Sequence, residues 1–497
     1  MADQYNKCLE KKINSVHCEH KHRGVEQLVA RRAHNPKVAG SSPVPTTSKT
    51  AHKQAVFFCP FRFCHLTISM VIKRYHIMNI DRSHFFEQLL KRVNCFSAVS
   101  ALIILFSFCS PVFVSAEVLF CGIDMLESSG FRELSGLRVG LITNVAGVNR
   151  RGEPDYALML KNGVRLKYIM APEHGFSADI EAGKKVGGTC IHDSLPVLSL
   201  YGASKKPDIR DLNRIDILVF DLQDVGARCY TYISTMNLAM QACEEAGIAF
   251  MVLDRPNPVI PLSPQGFMLA PQYESFVGAV DIPFIHSMTV GEIAMLLKDR
   301  KYKRLDLRVI ALSGYSRNKF ADEYPDFRFI SPSPNIRSVD TAILYPATVF
   351  LEATTVSEGR GTDAPFMQFG APFISGREVA DALKEYHLPG VQFDAVSFQP
   401  VSGKFKGEHC QGVKLALTDR KTFSPFKTAA TILLVLQRLY PDKTGLDKKN
   451  DFFDKLAGTS LFREMLIKQK PLNVIMDESH NEIEQFNRTT PIKLLYQ

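Results

Sequence analysis

From residue 137 onward the chain alternates short apolar runs with amphipathic stretches. Leu137 to Asn144 is apolar with a polar end and reads as a buried strand. Tyr156 to Lys161 has helical spacing, closed by the helix-stop signal Asn162-Gly163. Val164–Met170, Leu195–Tyr201, Ile215–Phe220 and Ile248–Leu253 read as further strands, and Thr235–Ala246 as a helix stopped by Gly247. Thr289 is a natural N-cap for a helix running through Lys298. Strands that are apolar throughout and separated by helices predict an α/β fold, with a Rossmann-like parallel sheet covered on both faces. No GxGxxG follows the first strand, so no dinucleotide cofactor is expected. Ser331-Pro332-Ser333-Pro334-Asn335 breaks the pattern and reads as a passage between domains. Beyond it lie short strands at Val391–Phe398 and Gly412–Leu417 and a helix over Lys427–Tyr440, the pattern of a smaller α+β domain. The expected division is a Rossmann-like domain over 117–342 and an auxiliary domain over 343–497.

The first 116 residues are of another kind. They hold 16 Lys and Arg against 6 Asp and Glu, whereas the rest of the chain holds 44 against 45. The net charge of +9 therefore belongs to the leader, and the body has no electrostatic signature of nucleic-acid binding. Residues 1–77 carry no useful period, and Gly40-Ser41-Ser42-Pro43 resembles the peptide read from the T-loop of a tRNA gene. That segment reads as a non-native or disordered extension; a basic nucleic-acid-binding arm is the alternative. Over 78–116, Lys91 and Arg92 precede an apolar run from Phe96 to Phe108, and Val114-Ser115-Ala116 offers small residues at a signal-peptidase site. This predicts an exported, periplasmic or secreted body, with membrane contact only through an uncleaved leader. The body keeps Cys121, Cys190, Cys229, Cys243 and Cys410, too sparse for a disulfide scaffold though one pair is possible.

In open parallel sheets the ligand crevice lies beyond the carboxyl ends of the strands. Three such ends carry acids: Glu173, the pair Asp221 and Asp224, and Asp254. Each taken alone reads equally as a helix cap or a loop ion pair. Together on one edge they point to acid–base chemistry. Glu173 stands first, since Pro172 stiffens its approach, Gly175 permits a tight turn, and Phe176 lowers the local polarity that would stabilise its charged form. His174 either orients Glu173 or substrate, or is simply a loop histidine. Glu181 and Asp224 are the candidates for a second carboxylate. Asp221, Arg228, Tyr230 and Tyr232 are candidate substrate contacts, Arg228 as a fork for a carboxylate and the tyrosines as stacking surfaces. Asp254, Arg255 and Asn257 form a rigid polar turn, and Glu358 and Arg360 sit in a glycine-rich segment able to reach over the cleft.

Pro172-Glu173-His174-Gly175-Phe176, Ser199-Leu200-Tyr201-Gly202, Asp221-Leu222-Gln223-Asp224-Val225-Gly226-Ala227-Arg228, Asp254-Arg255-Pro256-Asn257-Pro258, Met288-Thr289-Val290-Gly291-Glu292 and Ser357-Glu358-Gly359-Arg360-Gly361-Thr362 resemble the NamZ family of exo-β-N-acetylmuramidases. The likeness runs from about Gly122 to the C-terminus, and residues 1–116 lie outside it. It implies an exo-acting glycosidase that releases N-acetylmuramic acid (MurNAc) from the non-reducing ends of peptidoglycan fragments, with oligosaccharides of MurNAc and N-acetylglucosamine (GlcNAc) as partners and no cofactor. It also implies a Rossmann-like domain and an auxiliary C-terminal domain with the active cleft between them, and a catalytic glutamate that falls on Glu173. Family members usually carry Gly after the histidine that precedes the Met-Thr-Val-Gly-Glu motif, where this chain has Ser287.

On this reading Glu173 protonates the departing oxygen, and Glu181 or Asp224 activates water or steadies the oxocarbenium-like transition state; assistance by the substrate's own acetamido group is a third route. Arg228 would hold the lactyl carboxylate. With no Trp in the chain, sugar stacking falls to Tyr or Phe. Two rivals remain: an exported sugar-binding protein without catalysis, and a metal-dependent hydrolase using His174, His192, Asp221 and Asp224. The second lacks any HExxH or comparable spacing, so no metal is expected.

Overall fold

The computed structural model describes residues 118–191, 195–447 and 450–497. The leader readings, the tRNA-like segment and His192 lie outside the described residues. The first sheet takes β1 (Arg138–Thr143), β2 (Arg165–Ala171), β3 (Thr189–Ile191), β4 (Leu195–Ser199), β5 (Ile217–Asp221), β6 (Ala249–Leu253) and β7 (Leu307–Ile310). Their order is β3-β4-β2-β1-β5-β6-β7, parallel throughout except for the edge strand β3. β1 sits between β2 and β5, so the winding reverses direction there, and a crevice is expected beyond the carboxyl ends of those strands.

Both faces of the strands are apolar because both are covered. One face carries Val139, Leu141, Ile169, Val219 and Met251 into one core. The other carries Ile142, Met170, Leu218, Phe220 and Val252 into a core that runs on into the second half of the chain. The helices are α1 (Gly122–Ser128), α2 (Asp155–Lys161), α3 (Ile209–Leu212), α4 (Tyr232–Ala246), α5 (Val290–Arg300), α6 (Val339–Thr348), α7 (Gly376–Lys384), α8 (Pro425–Leu439), α9 (Asp451–Ala457), α10 (Leu461–Ile467) and α11 (Leu472–Thr489). A three-stranded antiparallel sheet follows the first, β8 (Gln368–Ala371), β9 (Val391–Phe398) and β10 (Cys410–Leu417), in the order β8-β10-β9. Phe284, from the first half, stacks 4.5 Å from Phe350, which in turn meets Phe462 at 5.4 Å. This aromatic seam joins the two halves.

The expected α/β sheet with a smaller α+β region after it is what forms. Thr289 caps α5 as predicted, its hydroxyl accepting from Glu292 N while the Glu292 carboxylate accepts from Thr289 N. The expected helix at Thr235 starts earlier, at Tyr232, because Thr231 occupies the cap position. The edge strand β3, the strands β7 and β8, and helices α6 and α11 had no reading in the sequence. The five cysteines of the body are all free thiols. Among the described residues no helix is long and apolar enough to cross a membrane.

Candidate active site

β2 ends at Ala171, and the chain then turns through His174 at φ 72° and Gly175 at φ 77°. The left-handed histidine is a strained position, kept by the bond of its Nδ1 to Ile180 O at 2.7 Å. A carbonyl can only accept, so Nδ1 carries the proton, and in the neutral ring Nε2 keeps its lone pair. Burial lowers the pKa of this ring, which favours that neutral form.

The turn presents Glu173, 5% exposed, to a cavity of about 410 Å³. Its Oε1 accepts from Gly183 N at 2.8 Å, and its Oε2 accepts from the Thr231 hydroxyl at 2.7 Å. Thr231 stands at the N-cap of α4, yet its side chain serves Glu173 and not its own helix. The carboxylate thus lies at the start of α4. Tyr201 completes the cage: burial first, then the Glu173 carboxylate, push its phenol up to about 12. No arginine or lysine is ion-paired with Glu173 among the described residues.

Around the carboxylate stand Tyr201, Tyr230, Phe276, Tyr345 and Phe366, a lining suited to the apolar faces of a sugar ring. Glu352 is the other carboxylate on the wall. It meets Arg360 at 2.6 Å, and Arg360 also meets Glu358 at 3.1 Å, which in turn meets Lys404 at 3.3 Å. Burial raises the Glu352 pKa and Arg360 opposes the rise. Lys205 lies over Tyr201 and Phe276 at 5.1 and 4.7 Å, and Lys455 lines the same wall; neither has a carboxylate partner among the described residues. Cys229 also lines the cavity, but burial pushes its thiol up to about 12, so it offers no thiolate. Asn335 is 4% exposed, and its Nδ2 has no protein hydrogen-bond partner. An unpaired buried donor costs about 1–3 kcal/mol.

Of the residues singled out in the sequence, Glu173, His174, Tyr230 and Arg360 line this cavity. The others do not. Asp221 is fully buried and held by Arg255 through two bonds of 2.5 and 2.9 Å, so this pair is an internal clamp. Asp254 accepts from Gly291 N and the Thr289 hydroxyl at the start of α5, and from the Tyr496 hydroxyl. Asn257 ties its own turn through Met288 O and Val259 N. Arg228 gives its guanidinium to the carbonyls of Phe267, Ile282 and Ala457 and faces no open space for a lactyl group. Tyr232 is buried, with its hydroxyl on Pro332 O. Asp224 accepts from Gly226 N and lies 3.2 Å from His286 Nε2, away from the cavity wall. Glu181 lines a neighbouring groove, and Glu358 stands behind Arg360.

Neither proposed second carboxylate therefore faces Glu173's cavity; Glu352 does. It was missed because it lies in the single-turn helix Val349–Ala353, just ahead of the glycine-rich segment that drew attention. Asn335 closes the Ser331-Pro332-Ser333-Pro334-Asn335 breaker, a composition that signals a linker and not a site. Among the described residues no group of three or more His, Cys, Asp or Glu is placed to hold a metal ion, and Asp221 is committed to Arg255. Ser287 adopts φ 50°, a conformation glycine enters freely. Its hydroxyl donates to Leu262 O and offsets part of that strain.

Comparisons with known proteins bear on both halves of the cavity. The family described as "Exo-beta-N-acetylmuramidase NamZ, N-terminal" matches residues 139–340, and its C-terminal counterpart matches 343–496. The cavity draws Glu173, Thr231 and Asn335 from the first segment and Glu352, Arg360 and Lys455 from the second. A Bacillus subtilis protein named peptidoglycan beta-N-acetylmuramidase NamZ is 41% identical over 379 residues, 76% of this chain and 91% of that one. Two crystal structures of DUF1343 family proteins from Bacteroides fragilis superpose with TM-scores of 0.70 and 0.61, at 33% and 28% identity. Each covers 76% of this chain and 99% of its own.

Proposed function

The chain belongs to the NamZ family of exo-β-N-acetylmuramidases and is a glycosidase, and we propose that it releases MurNAc from the non-reducing ends of peptidoglycan fragments with Glu173 as the proton donor. The observation that carries this reading is a buried carboxyl group facing a sugar-sized cavity and held only by uncharged donors. A carboxylate clamped by arginine gives up its proton-carrying role, whereas one held by a hydroxyl and an amide can exchange its proton with a leaving oxygen. The cavity, about 410 Å³, is large enough to receive a terminal sugar.

In this mechanism Glu173 protonates the glycosidic oxygen as the bond to the anomeric carbon lengthens. Glu352 is the second carboxylate; held by Arg360, it carries no proton and serves to stabilise the positive charge that develops on the ring. Arg360 keeps it aligned and opposes the rise in its pKa that burial causes. Lys205 and Lys455 supply positive charge for the lactyl carboxylate that distinguishes MurNAc from GlcNAc. The leader over 78–116 supports export, and a mature N-terminus at Glu117 in protein from the native cell is the expected result; a start upstream of the apolar run would reject cleavage.

The direct test is to incubate the full chain with the MurNAc-GlcNAc disaccharide and follow free MurNAc by mass. Release of the monosaccharide is expected. Tight binding with the disaccharide left intact would reject hydrolysis and favour a sugar-binding protein.

A further inference from the structure

Glu352 stands on a turn too short to hold itself. In a longer helix Thr355 N and Val356 N would turn back on Glu352 O and Ala353 O; here they bond instead to Thr444 O and the Thr354 hydroxyl. Ala353 O accepts from the Asn450 side chain at 2.6 Å. Glu352 O accepts from the Lys404 ammonium at 3.1 Å, and the same nitrogen meets Leu351 O at 2.6 Å and Val356 O at 3.0 Å. One cation thus clasps the bend from Leu351 to Val356 at both ends.

That cation also reaches the carboxylate of Glu352. Lys404 meets Glu358 at 3.3 Å, Glu358 meets Arg360 at 3.1 Å, and Arg360 meets Glu352 at 2.6 Å. Lys404 does not line the cavity. It lies on the loop between β9 and β10, where Val401 N donates to Gly361 O at 2.8 Å, next to Arg360. On either side of the lysine, Gly403 and Phe405 take φ 75° and 57°. The left-handed phenylalanine is strained backbone, held by the packing of its ring against the core. Between these two residues the lysine is aimed under the turn.

Resting on the reading of Glu352 as the second carboxylate, we propose that Lys404 is its positioning residue, fixing the turn by its carbonyls and the carboxylate through Glu358 and Arg360. Without the ammonium, Glu352 O loses its donor and Glu358, no longer neutralised, competes for Arg360. The carboxylate then drifts from the place where charge develops on the ring. Such a loss falls on the transition state and not on substrate binding.

The test measures kcat, KM and the pH profile of disaccharide turnover for Lys404→Met, Glu358→Gln, Glu352→Gln and Lys406→Met. Lys404→Met is expected to lower kcat about tenfold, the scale of one lost charged hydrogen bond, with KM unchanged. The profile separates positioning from packing. Glu352 acts as a carboxylate, so its protonation shapes the acid limb of kcat/KM. The groups around it are Arg360, Glu358, Lys404, Tyr345 on α6 and Cys229, with Glu173, His174, Lys205 and Lys455 elsewhere on the cavity wall. Of these, Lys404 lowers the Glu352 pKa and Glu358 raises it. Lys404→Met therefore moves the acid limb to higher pH, and Glu358→Gln moves it to lower pH. Lys406→Met, at an exposed position of the same loop, is expected to change neither kcat nor the limb. A wild-type kcat in Lys404→Met, or a lower kcat with the limb unmoved, would overturn the positioning role. Should Lys404→Met fail to fold, Glu358→Gln decides, and a limb that does not move to lower pH overturns it. Full turnover by Glu352→Gln would remove the reading of Glu352 and the role of Lys404 together, whereas lost turnover there with an unmoved limb in Lys404→Met would remove the role alone.

Discussion

Glu173 and Asp221 leave the same edge of the sheet, on the strands that flank β1 from either side. Both are buried, and both are carboxylates beyond or at a strand end. They differ in their company. Asp221 meets the Arg255 guanidinium at 2.5 Å, among Asp155, Asp254 and Cys121, and the pair fills the space between the strand ends. Glu173 meets a backbone amide, a threonine hydroxyl and a tyrosine, and has an open cavity before it. Position on the sheet brings an acid to the crevice. The partner decides whether it becomes a strut or a proton carrier.

The largest effect expected from this contrast is on folding. Asp221→Ala leaves the Arg255 charge buried without its partner, and urea unfolding is expected to lose about 3–5 kcal/mol. A variant as stable as wild type would erase the distinction between the two acids. Arg228→Met comes next, since it strands three buried carbonyls on both sides of the aromatic seam; a loss of about 3 kcal/mol is expected, with KM for the disaccharide unchanged in the folded protein. The opposite pattern, a raised KM at full stability, would return Arg228 to the substrate.

Asp254 gives the contrast a pH dependence. Burial raises its pKa to about 6, above the usual carboxylate range, so the folded state holds this proton longer than the unfolded chain does. Its contribution is therefore greatest below about pH 4 and is lost as pH rises toward 6. Relative to Asp254→Asn, wild type is expected to lose up to about 3 kcal/mol across that window and then level off, as read by unfolding at successive pH values. A difference that is flat with pH would refute the assignment. The smallest change is Thr231→Val, which removes one bond to Glu173: kcat is expected to fall about tenfold while stability drops by about 1 kcal/mol.

Much of the sheet was legible because its strands are apolar on both faces, a signature that few other elements share. The strands β1, β2, β5 and β6 and the capped helix α5 follow from periodicity and one threonine. Glu173 was legible for a related reason, since Pro172 and Gly175 mark a turn at a strand end. What periodicity does not carry is partnership. Asp221 and Arg255 are 34 positions apart, and nothing local says that they meet. Glu352 sits in a single helical turn without amphipathic repeat, and its place opposite the sheet is set by the Phe284–Phe350 seam. Nothing in the sequence marks Thr231, because a hydroxyl turned away from its own helix leaves no local signal.

The most direct measurement is turnover and binding of the MurNAc-GlcNAc disaccharide by Glu173→Gln. Glutamine keeps the shape and can still meet Gly183 and Thr231, whose hydroxyl can reverse from donor to acceptor, but it has no proton to give. The expected result is a kcat lower by about 10²–10⁴ with the disaccharide still bound and the melting temperature unchanged. A variant that releases MurNAc at the wild-type rate would contradict the account.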